Sequence, residues 1–434
     1  VAKAAFTTLG CKVNQYETQR ILESFETAGF EIVAFNEPAD VYVINTCSVT
    51  SQAESKSRQT ARRAARQSPG AKVVVTGCAA QMSLIRSERF DAADLLVPNT
   101  EKLETLDRFF NCFPEYRERV VQCAAPPKVT SKRTRATLKV QDGCSVFCSY
   151  CSIPYTRPVM TSRPSTDVVG EAERLAADGY KEIVLTGVLI GAYGPETGSG
   201  GPNFETLLDL LAGISGIERI RISSIEMRQV TPGLIARLQR ADSKIVPHLH
   251  IPLQSGSTRV LEAMNRPYTA AAYVNLCCEL QRKIPGIGLS ADVMVGFPTE
   301  SESDFEESVS VCEQVGYAKT HVFRFSPRFG TPADKWGDPI PPQEKQRRAA
   351  ILADVGAKTR EAFVAKHVGT VQRVLVEGRS KSDGLLGGHT PNYIEVEFPG
   401  PASAIGTVVP VRLLLQSNGI ACGELSSSAI GVLS

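Results

Sequence analysis

Three times before residue 80 the chain repeats one arrangement: a short apolar run, two turn residues and a cysteine. Ala4–Thr8 ends at Leu9-Gly10-Cys11, Val41–Ile44 at Asn45-Thr46-Cys47, and Val73–Val75 at Thr76-Gly77-Cys78. Polar, helix-like stretches separate the runs. One has Asn14 as an expected N-cap with Glu17 three residues on, and another opens on Ser51-Gln52-Ala53-Glu54, which has capping-box form. Such alternation predicts a parallel sheet with helices on its faces, a Rossmann-like layout. In open parallel sheets the carboxyl ends of the strands share one rim, and ligands bind there. Cysteines 36 and 31 residues apart in sequence therefore meet in space. Three thiols on one rim predict an iron–sulfur cluster with one iron left open. The competing reading is three unrelated small residues in βα turns, since a free cysteine is often buried and inert.

A second trio is closer set. Cys144, Cys148 and Cys151 stand in C-x3-C-x2-C spacing, with Tyr150 immediately before the last cysteine. A four-iron cluster takes four ligands, and so tight a loop wraps only three of its corners, leaving the fourth iron for a small molecule. Structural zinc usually takes four closed ligands, commonly as separated C-x2-C pairs, and the chain has no second pair of that kind. A disulfide framework belongs to small secreted chains. The ferredoxin run uses two-residue gaps and a following Cys-Pro. The remaining six cysteines, Cys112, Cys123, Cys277, Cys278, Cys312 and Cys422, form no ligand spacing.

The 434 residues suffice for several domains, and 42% hydrophobic with 22% charged residues describes an ordinary globular chain. No apolar run reaches the roughly eighteen residues of a membrane span, and the start has no secretory-leader pattern. Twelve cysteines without a leader point to a reducing compartment, so a cytoplasmic protein with no membrane association is expected. A net charge of +2 neither demands nor excludes nucleic acid. Two basic stretches are more telling: Lys56, Arg58, Arg62, Arg63 and Arg66, and then Lys128, Lys132, Arg133, Arg135 and Lys139. Both are compatible with a solvated face, or with a phosphate-bearing partner.

The expected organisation is an N-terminal domain over residues 1–125, a basic linker over 126–137, a second βα series over 138–366 and a small β-barrel over 367–434. The second series has strands near Leu138–Val140, Ile183–Leu185, Ile220–Ile222, His248–Ile251, Gly288–Val295 and Lys319–Phe323, with amphipathic helices such as Val168–Asp178 and Phe204–Leu211 between them. Six βα units fit a partial TIM-type barrel, where chemistry collects at the carboxyl ends of the strands. The Cys144 loop follows the first of these strands. The last region has short β-rich runs at Gly369–Glu377, Tyr393–Phe398, Gly406–Leu415 and Ile420–Leu425, punctuated by Gly, Pro and Asn. Five Lys/Arg against five Asp/Glu from Lys366 to Ser434 give it no net basic character.

The cysteine loop resembles the radical S-adenosylmethionine (SAM) signature, with Tyr150 where that superfamily places its adenine-packing aromatic. The surroundings resemble the methylthiotransferases within it: Val140 through Cys144, Cys151 through Arg157, Ser162-Arg163-Pro164, Thr186-Gly187-Val188, Gly191 through Gly194, and Ser223 through Glu226. His250 through Ser257, Asp292 through Pro298, His321 through Phe323 and Ser326 through Pro332 extend the likeness, and the C-terminal region is similar to the TRAM domain of these enzymes. At the amino end, Thr8-Leu9-Gly10-Cys11-Lys12-Val13-Asn14 resembles the branch acting on N6-threonylcarbamoyladenosine at tRNA position 37. The dimethylallyl-type branch reads closer to Phe-Gly-Cys-Gln-Met-Asn, and the ribosomal-protein branch closer to Leu-Gly-Cys-Pro-Lys-Asn. Leu189, Met227, Thr299 and the segment Arg157-Pro158-Val159-Met160-Thr161 depart from the usual family pattern around the substrate pocket.

The resemblance implies an enzyme with two 4Fe-4S clusters and SAM, held by Cys144, Cys148 and Cys151 in one case and by Cys11, Cys47 and Cys78 in the other. One SAM would methylate a sulfur carried at the second cluster, and another would give a 5′-deoxyadenosyl radical at the first. Adding sulfur to carbon 2 of an adenine calls for such cofactors, because that C–H has no useful acidity. Tyr150, Gly187, Gln254, Ser255, Asp292 and Gly296 are the expected SAM contacts. The expected partners are the anticodon stem-loop of tRNA and a reductant such as flavodoxin or ferredoxin, with the enzyme a monomer. The competing readings are methylthiolation of another tRNA adenosine or of a ribosomal protein, and a non-catalytic iron–sulfur protein that binds RNA.

Overall fold

The computed structural model describes residues 1–120, 134–195, 201–382 and 384–426. These fall into two compact units. The first takes the described residues of Val1–Thr130, together with Gly143–Met160 and Ser326–Lys335. Its strands are β1 (Lys3–Thr8), β2 (Glu31–Val33), β3 (Val41–Thr46), β4 (Lys72–Gly77) and β5 (Leu95–Leu96). They pair in parallel in the order β2-β1-β3-β4-β5. Central strand β3 is buried along its whole length, which is why its sequence is a continuous apolar run and not an alternation. One face of the sheet packs on Phe25, Phe30, Phe109 and Tyr116. The other packs on Ala61 and Ala64 of the Arg-rich helix and on Ala79 and Ala80.

The Arg-rich helix opens at Ser51 as expected, but the capping residues of both helices are corrected. Helix α1 spans Lys12–Thr27 with Cys11, not Asn14, at the N-cap. Asn14 is wholly buried, and its amide donates to Leu9 O (3.0 Å) and Thr46 O (2.9 Å). Long-range backbone acceptors have taken the side chain that local capping would use. Helix α2 (Ser51–Gln67) is capped by Thr50, whose side chain accepts from Ala53 N at 3.1 Å. Glu54 lies past the capping position and is held in a buried ion pair with Arg328, 2.9 Å away. Helix α3 (Cys78–Ile85) follows β4 directly.

In the second unit β6 (Arg135–Lys139) leads into the short β7 (Gln141–Asp142), which pairs antiparallel with β8 (Thr161–Ser162). Then come β9 (Glu182–Thr186), β10 (Arg219–Ile222), β11 (His248–His250), β12 (Gly288–Val295) and β13 (Lys319–Arg324). They make two parallel sheets, β10-β9-β6 and β11-β12-β13, connected by parallel bridges Ile220↔Ile245 and Ser224↔His250. This is the partial TIM-type barrel of six strands. Leu138, Leu185, Ile222, Leu249 and Val293 share its core with the surrounding helices.

The C-terminal strands β14 (Val371–Arg379), β15 (Leu385–His389), β16 (Glu395–Pro399), β17 (Val408–Ser417) and β18 (Ile420–Leu425) close into a five-stranded barrel. Sequence reading missed β15, because Gly387 and Gly388 dilute its strand signal. Gly388 is required there: a Cβ on it would lie 2.2 Å from Leu375 O. The small barrel packs against the amino ends of β6, β9 and β10. Arg221 donates to Glu182 (2.6 Å) and to Pro391 O (3.0 Å), and Arg219 donates to His389 O (3.1 Å).

Arg135 is correspondingly not a free linker charge. It begins β6, pairs with Glu377 at 3.1 Å and lies over the Tyr393 ring. The expected phosphate role of the linker therefore loses one of its cations to internal packing, and Lys132 and Arg133 lie outside the described residues.

Candidate functional site

Both cysteine trios belong to the first unit. Cys11 caps α1 just past β1, Cys47 follows β3, and Cys78 opens α3 just past β4. The common strand-end offset thus brings them to one rim. The thiols act on one another: each of Cys11 and Cys78 opposes ionisation of Cys47, and Cys78 opposes that of Cys11. Burial is the larger cause, and it pushes Cys47 up to about 11. Cys11 is exposed as a residue, yet its sulfur is hemmed in enough for burial to raise it too. Two cations oppose these effects, Arg157 on Cys11 and Arg328 on Cys47. Metal binding to such thiols displaces their protons.

Two glycines give the rim its room. Gly10 has φ +98°, and a Cβ on it would stand 2.8 Å from both Cβ and Sγ of Cys47. Gly77 has φ +94°, and a Cβ there would meet Asn45 Oδ1 at 2.4 Å.

The surrounding residues fit a cluster. Among the described residues, Ser48 Oγ, Asn99 Oδ1 and Arg328 Nη1 are buried and lack a hydrogen-bond partner. Ser48 adjoins Cys47, Arg328 bears on it, and Asn99 Nδ2 lies 3.9 Å from Cys78 Sγ. Orphaned buried polar atoms are costly unless a bound group answers them. Among the described residues no three His, Cys, Asp or Glu side chains stand close enough to hold a single metal ion.

The second trio sits in a tight turn, with Cys151 N bonded to Cys148 O at 3.0 Å and Phe147 at φ +52°. Backbone amides turn toward two of its sulfurs: Val146 N is 3.5 Å from Cys144 Sγ, and Ile153 N is 3.4 Å from Cys151 Sγ. Tyr150 is half-buried beside them.

One buried network joins this loop to the first motif. Arg157 forks onto Glu17 (3.0 and 2.8 Å) and reaches Asn14 Oδ1 at 2.9 Å. Lys102 meets the same carboxylate at 2.6 Å. Asn99 donates to Thr156 O at 2.7 Å. Sequence reading singled out none of Arg157, Lys102 or Arg328 for a role. Their signal was only that Arg157 closes the motif Cys151–Arg157 and Arg328 lies inside the motif Ser326–Pro332; Lys102 had none.

The other expected SAM residues lie in the second unit, near the carboxyl ends of its strands. Gln254 holds a left-handed φ of +68°, and its backbone N–H donates to Asp292 O at 2.8 Å. A non-glycine residue in that region is strained, and such strain concentrates at functional sites. Asp292 Oδ1 is 3.3 Å from His250 Nε2, and His250 Nδ1 is 3.0 Å from Ser290 Oγ. Ser255 is wholly buried, with its hydroxyl toward Ser308 and Ser257. Gly187 is crowded by Gln141, and Gly296 by Lys345.

A parallel-sheet unit carrying two thiol trios, a six-stranded partial barrel and a closed small barrel define a radical SAM enzyme with a nucleic-acid module, and comparison bears this out. Residues 3–98 match the uncharacterized protein family UPF0004, residues 138–312 the radical SAM superfamily, and residues 365–424 the TRAM domain. The chain belongs to the radical SAM tRNA methylthiotransferases. It is 39% identical to the threonylcarbamoyladenosine tRNA methylthiotransferase MtaB of Bacillus subtilis, over 95% of this chain and 94% of that one. To the MtaB of Aquifex aeolicus it is 38% identical, over 95% and 100%. To the tRNA-2-methylthio-N(6)-dimethylallyladenosine synthase of Methylobacillus flagellatus it is 35% identical, over 96% and 98%. The fold is also that of the radical SAM methyltransferase TsrM from Kitasatospora setae, with a TM-score of 0.53 at 15% identity, covering 88% of this chain and 82% of that one. The cofactors of the family are two 4Fe-4S clusters and SAM. No helix among the described residues is long and apolar enough to cross a membrane.

Proposed function

We propose that this chain methylthiolates carbon 2 of N6-threonylcarbamoyladenosine at position 37 of tRNA, in the anticodon loop. The observation that supports this most is the meeting of Cys11, Cys47 and Cys78 at one rim, in the same compact unit as the Cys144–Cys151 loop. When bound, the clusters and SAM supply the radical and the sulfur that no side chain can. The protein's own residues bind, orient and exclude water. Cys144, Cys148 and Cys151 hold one cluster, with Tyr150 packing on the adenine of SAM, and Cys11, Cys47 and Cys78 hold the other. Gln254 and Asp292 orient SAM, with His250 fixing the carboxylate, while Ser255, Gly187 and Gly296 shape the strand ends around it.

The TRAM barrel supplies RNA contact. Its target base lies in an unpaired loop, so no duplex has to be opened. The N-terminal residues to about 125 form the auxiliary-cluster domain, the barrel that begins with β6 at Arg135 and runs to about 366 the radical domain, and 367–434 the RNA-binding module, with a basic linker ahead of β6. A flavodoxin- or ferredoxin-type reductant, a monomeric state and a cytoplasmic location complete the reading. The likeness to the dimethylallyladenosine synthases sustains a second reading, the same chemistry on that adenosine. Anaerobic reaction with tRNA carrying either modification, followed by nucleoside mass analysis, decides between them. A methylthio group on the threonylcarbamoyl nucleoside is expected; its appearance only on the dimethylallyl nucleoside would replace this substrate.

A further inference from the structure

The guanidinium of Arg328 is divided between two surroundings. Its Nη2 donates to Glu54 Oε2 at 2.9 Å in a buried ion pair, and Glu54 is braced from its other side by Arg86 at 2.8 Å. Its Nη1 is buried and has no hydrogen-bond partner among the described residues. The arginine is only 6% exposed, so water does not readily answer that arm. The loop carrying it is fastened to the start of α2: Ser326 Oγ accepts from Ser51 N at 3.3 Å, and Thr331 Oγ1 donates to Arg328 O at 2.7 Å. Ser51 lies four residues past Cys47. Glu54, its partner, stands three residues before Ser57 on α2, and Ser57 Oγ lies 3.3 Å from both Cys47 N and Cys47 O; the orphaned hydroxyl of Ser48 lies next along the chain.

A buried cation with one arm committed and one arm waiting is not explained by the Glu54 pair alone. An isolated pair of that kind would be satisfied equally well by an arginine whose second arm reached a carbonyl. The cost of an unanswered charged donor is the cost a bound anion would remove. The Cys11–Cys47–Cys78 rim is built for three ligands, so a fourth, small and anionic, is what a donor at its edge can serve.

We propose that Arg328 is the anion-holding residue of the auxiliary site, its Nη1 arm donating to a small anionic sulfur ligand, a thiolate or hydrosulfide, carried beside Cys47. The inference rests on the reading of Cys11, Cys47 and Cys78 as cluster ligands. It adds a positioning residue for the sulfur, with Glu54 and Arg86 as its brace.

The test uses the full chain with Cys144→Ala, Cys148→Ala and Cys151→Ala, reconstituted anaerobically so that only the auxiliary site loads. Iron and sulfide are counted, and methanethiolate and hydrosulfide are titrated separately against the electron paramagnetic resonance signal of the reduced protein. Arg328→Gln should keep its iron yet bind methanethiolate about tenfold more weakly or worse, the usual worth of one charge-assisted hydrogen bond. Arg328→Lys, which keeps the charge and loses the fork, should fall between. Arg62→Gln, whose guanidinium pairs with the exposed Asp91, should bind as the parent does. Weakening of hydrosulfide alone, or of methanethiolate alone, assigns the site to that species. Unchanged affinity for both in Arg328→Gln overturns the proposal, as does lost iron with unchanged affinity in the loaded fraction. If Arg328→Gln does not fold, parent-like affinity in Arg328→Lys overturns it equally. A triple-alanine parent that takes up no iron overturns the ligand reading itself, and this inference with it.

Discussion

Arg157 and Glu17, 140 residues apart in sequence, form a two-pronged ion pair at 3.0 and 2.8 Å with both side chains almost wholly buried. The pair ties the helix that begins after Cys11 to the turn that follows Cys151. Its carboxylate also meets Lys102, whose amine burial drives toward neutrality and Glu17 holds charged. Arg157→Gln leaves Glu17 paired with Lys102 and should cost about 1–3 kcal/mol, the worth of the lost charge-assisted hydrogen bonds. Glu17→Gln should cost more, since it strands both Arg157 and Lys102. Urea unfolding of the two variants and of the double variant checks this. The double variant should be well short of the sum, because the partners share one interaction.

Gly10 offers a gentler probe of the same rim. Its φ of +98° and the 2.8 Å approach of Cys47 leave no room for a methyl group. Gly10→Ala should fold, at a cost of about 1–3 kcal/mol, and should displace Cys47. Iron per chain after anaerobic reconstitution should fall to about half of the roughly eight irons of two four-iron clusters, while the Cys144–Cys151 site still loads.

Much of this was legible in the sequence. The offset shared by Cys11, Cys47 and Cys78 gave the rim before any coordinate, because parallel strands leave their carboxyl ends together. The six strands of the partial barrel were readable from their apolar runs. What could not be read was where polar side chains go once the chain has folded. Asn14 and Glu54 read locally as capping residues, yet neither occupies a cap and each is taken by a distant partner, Thr46 O and Arg328 respectively. Arg135 looks like a linker charge and is spent on Glu377. β15 was lost because Gly387 and Gly388 serve close packing inside the small barrel, which weakens their strand signal. Long-range polar pairing leaves no periodicity in the sequence, and that is the class of feature missed.

Asp304 sets an acid limit on the second unit. Burial alone would raise its carboxyl, but hydrogen bonds from Arg259, Ser257 (2.6 Å) and the backbone of Ser301 (2.8 Å) hold it well below the usual carboxylate range. It closes the capping box of the helix Glu302–Val315. With the folded value depressed, its contribution is fully present above the unfolded pKa of about 4 and is lost as pH falls below it. Asp304→Asn should cost about 1.5–3 kcal/mol at pH 7. Its stability should also decline less than the parent's between pH 5 and pH 3, as followed by denaturant titration at each pH.

The central claim is that two thiol trios divide the work, one generating the radical and one delivering the sulfur. Its most direct test is Cys47→Ala, reacted anaerobically with SAM, a reductant and tRNA bearing N6-threonylcarbamoyladenosine, with 5′-deoxyadenosine and the methylthio nucleoside quantified together. We predict continued formation of 5′-deoxyadenosine with loss of the methylthio nucleoside. Full methylthio product from Cys47→Ala would contradict the account.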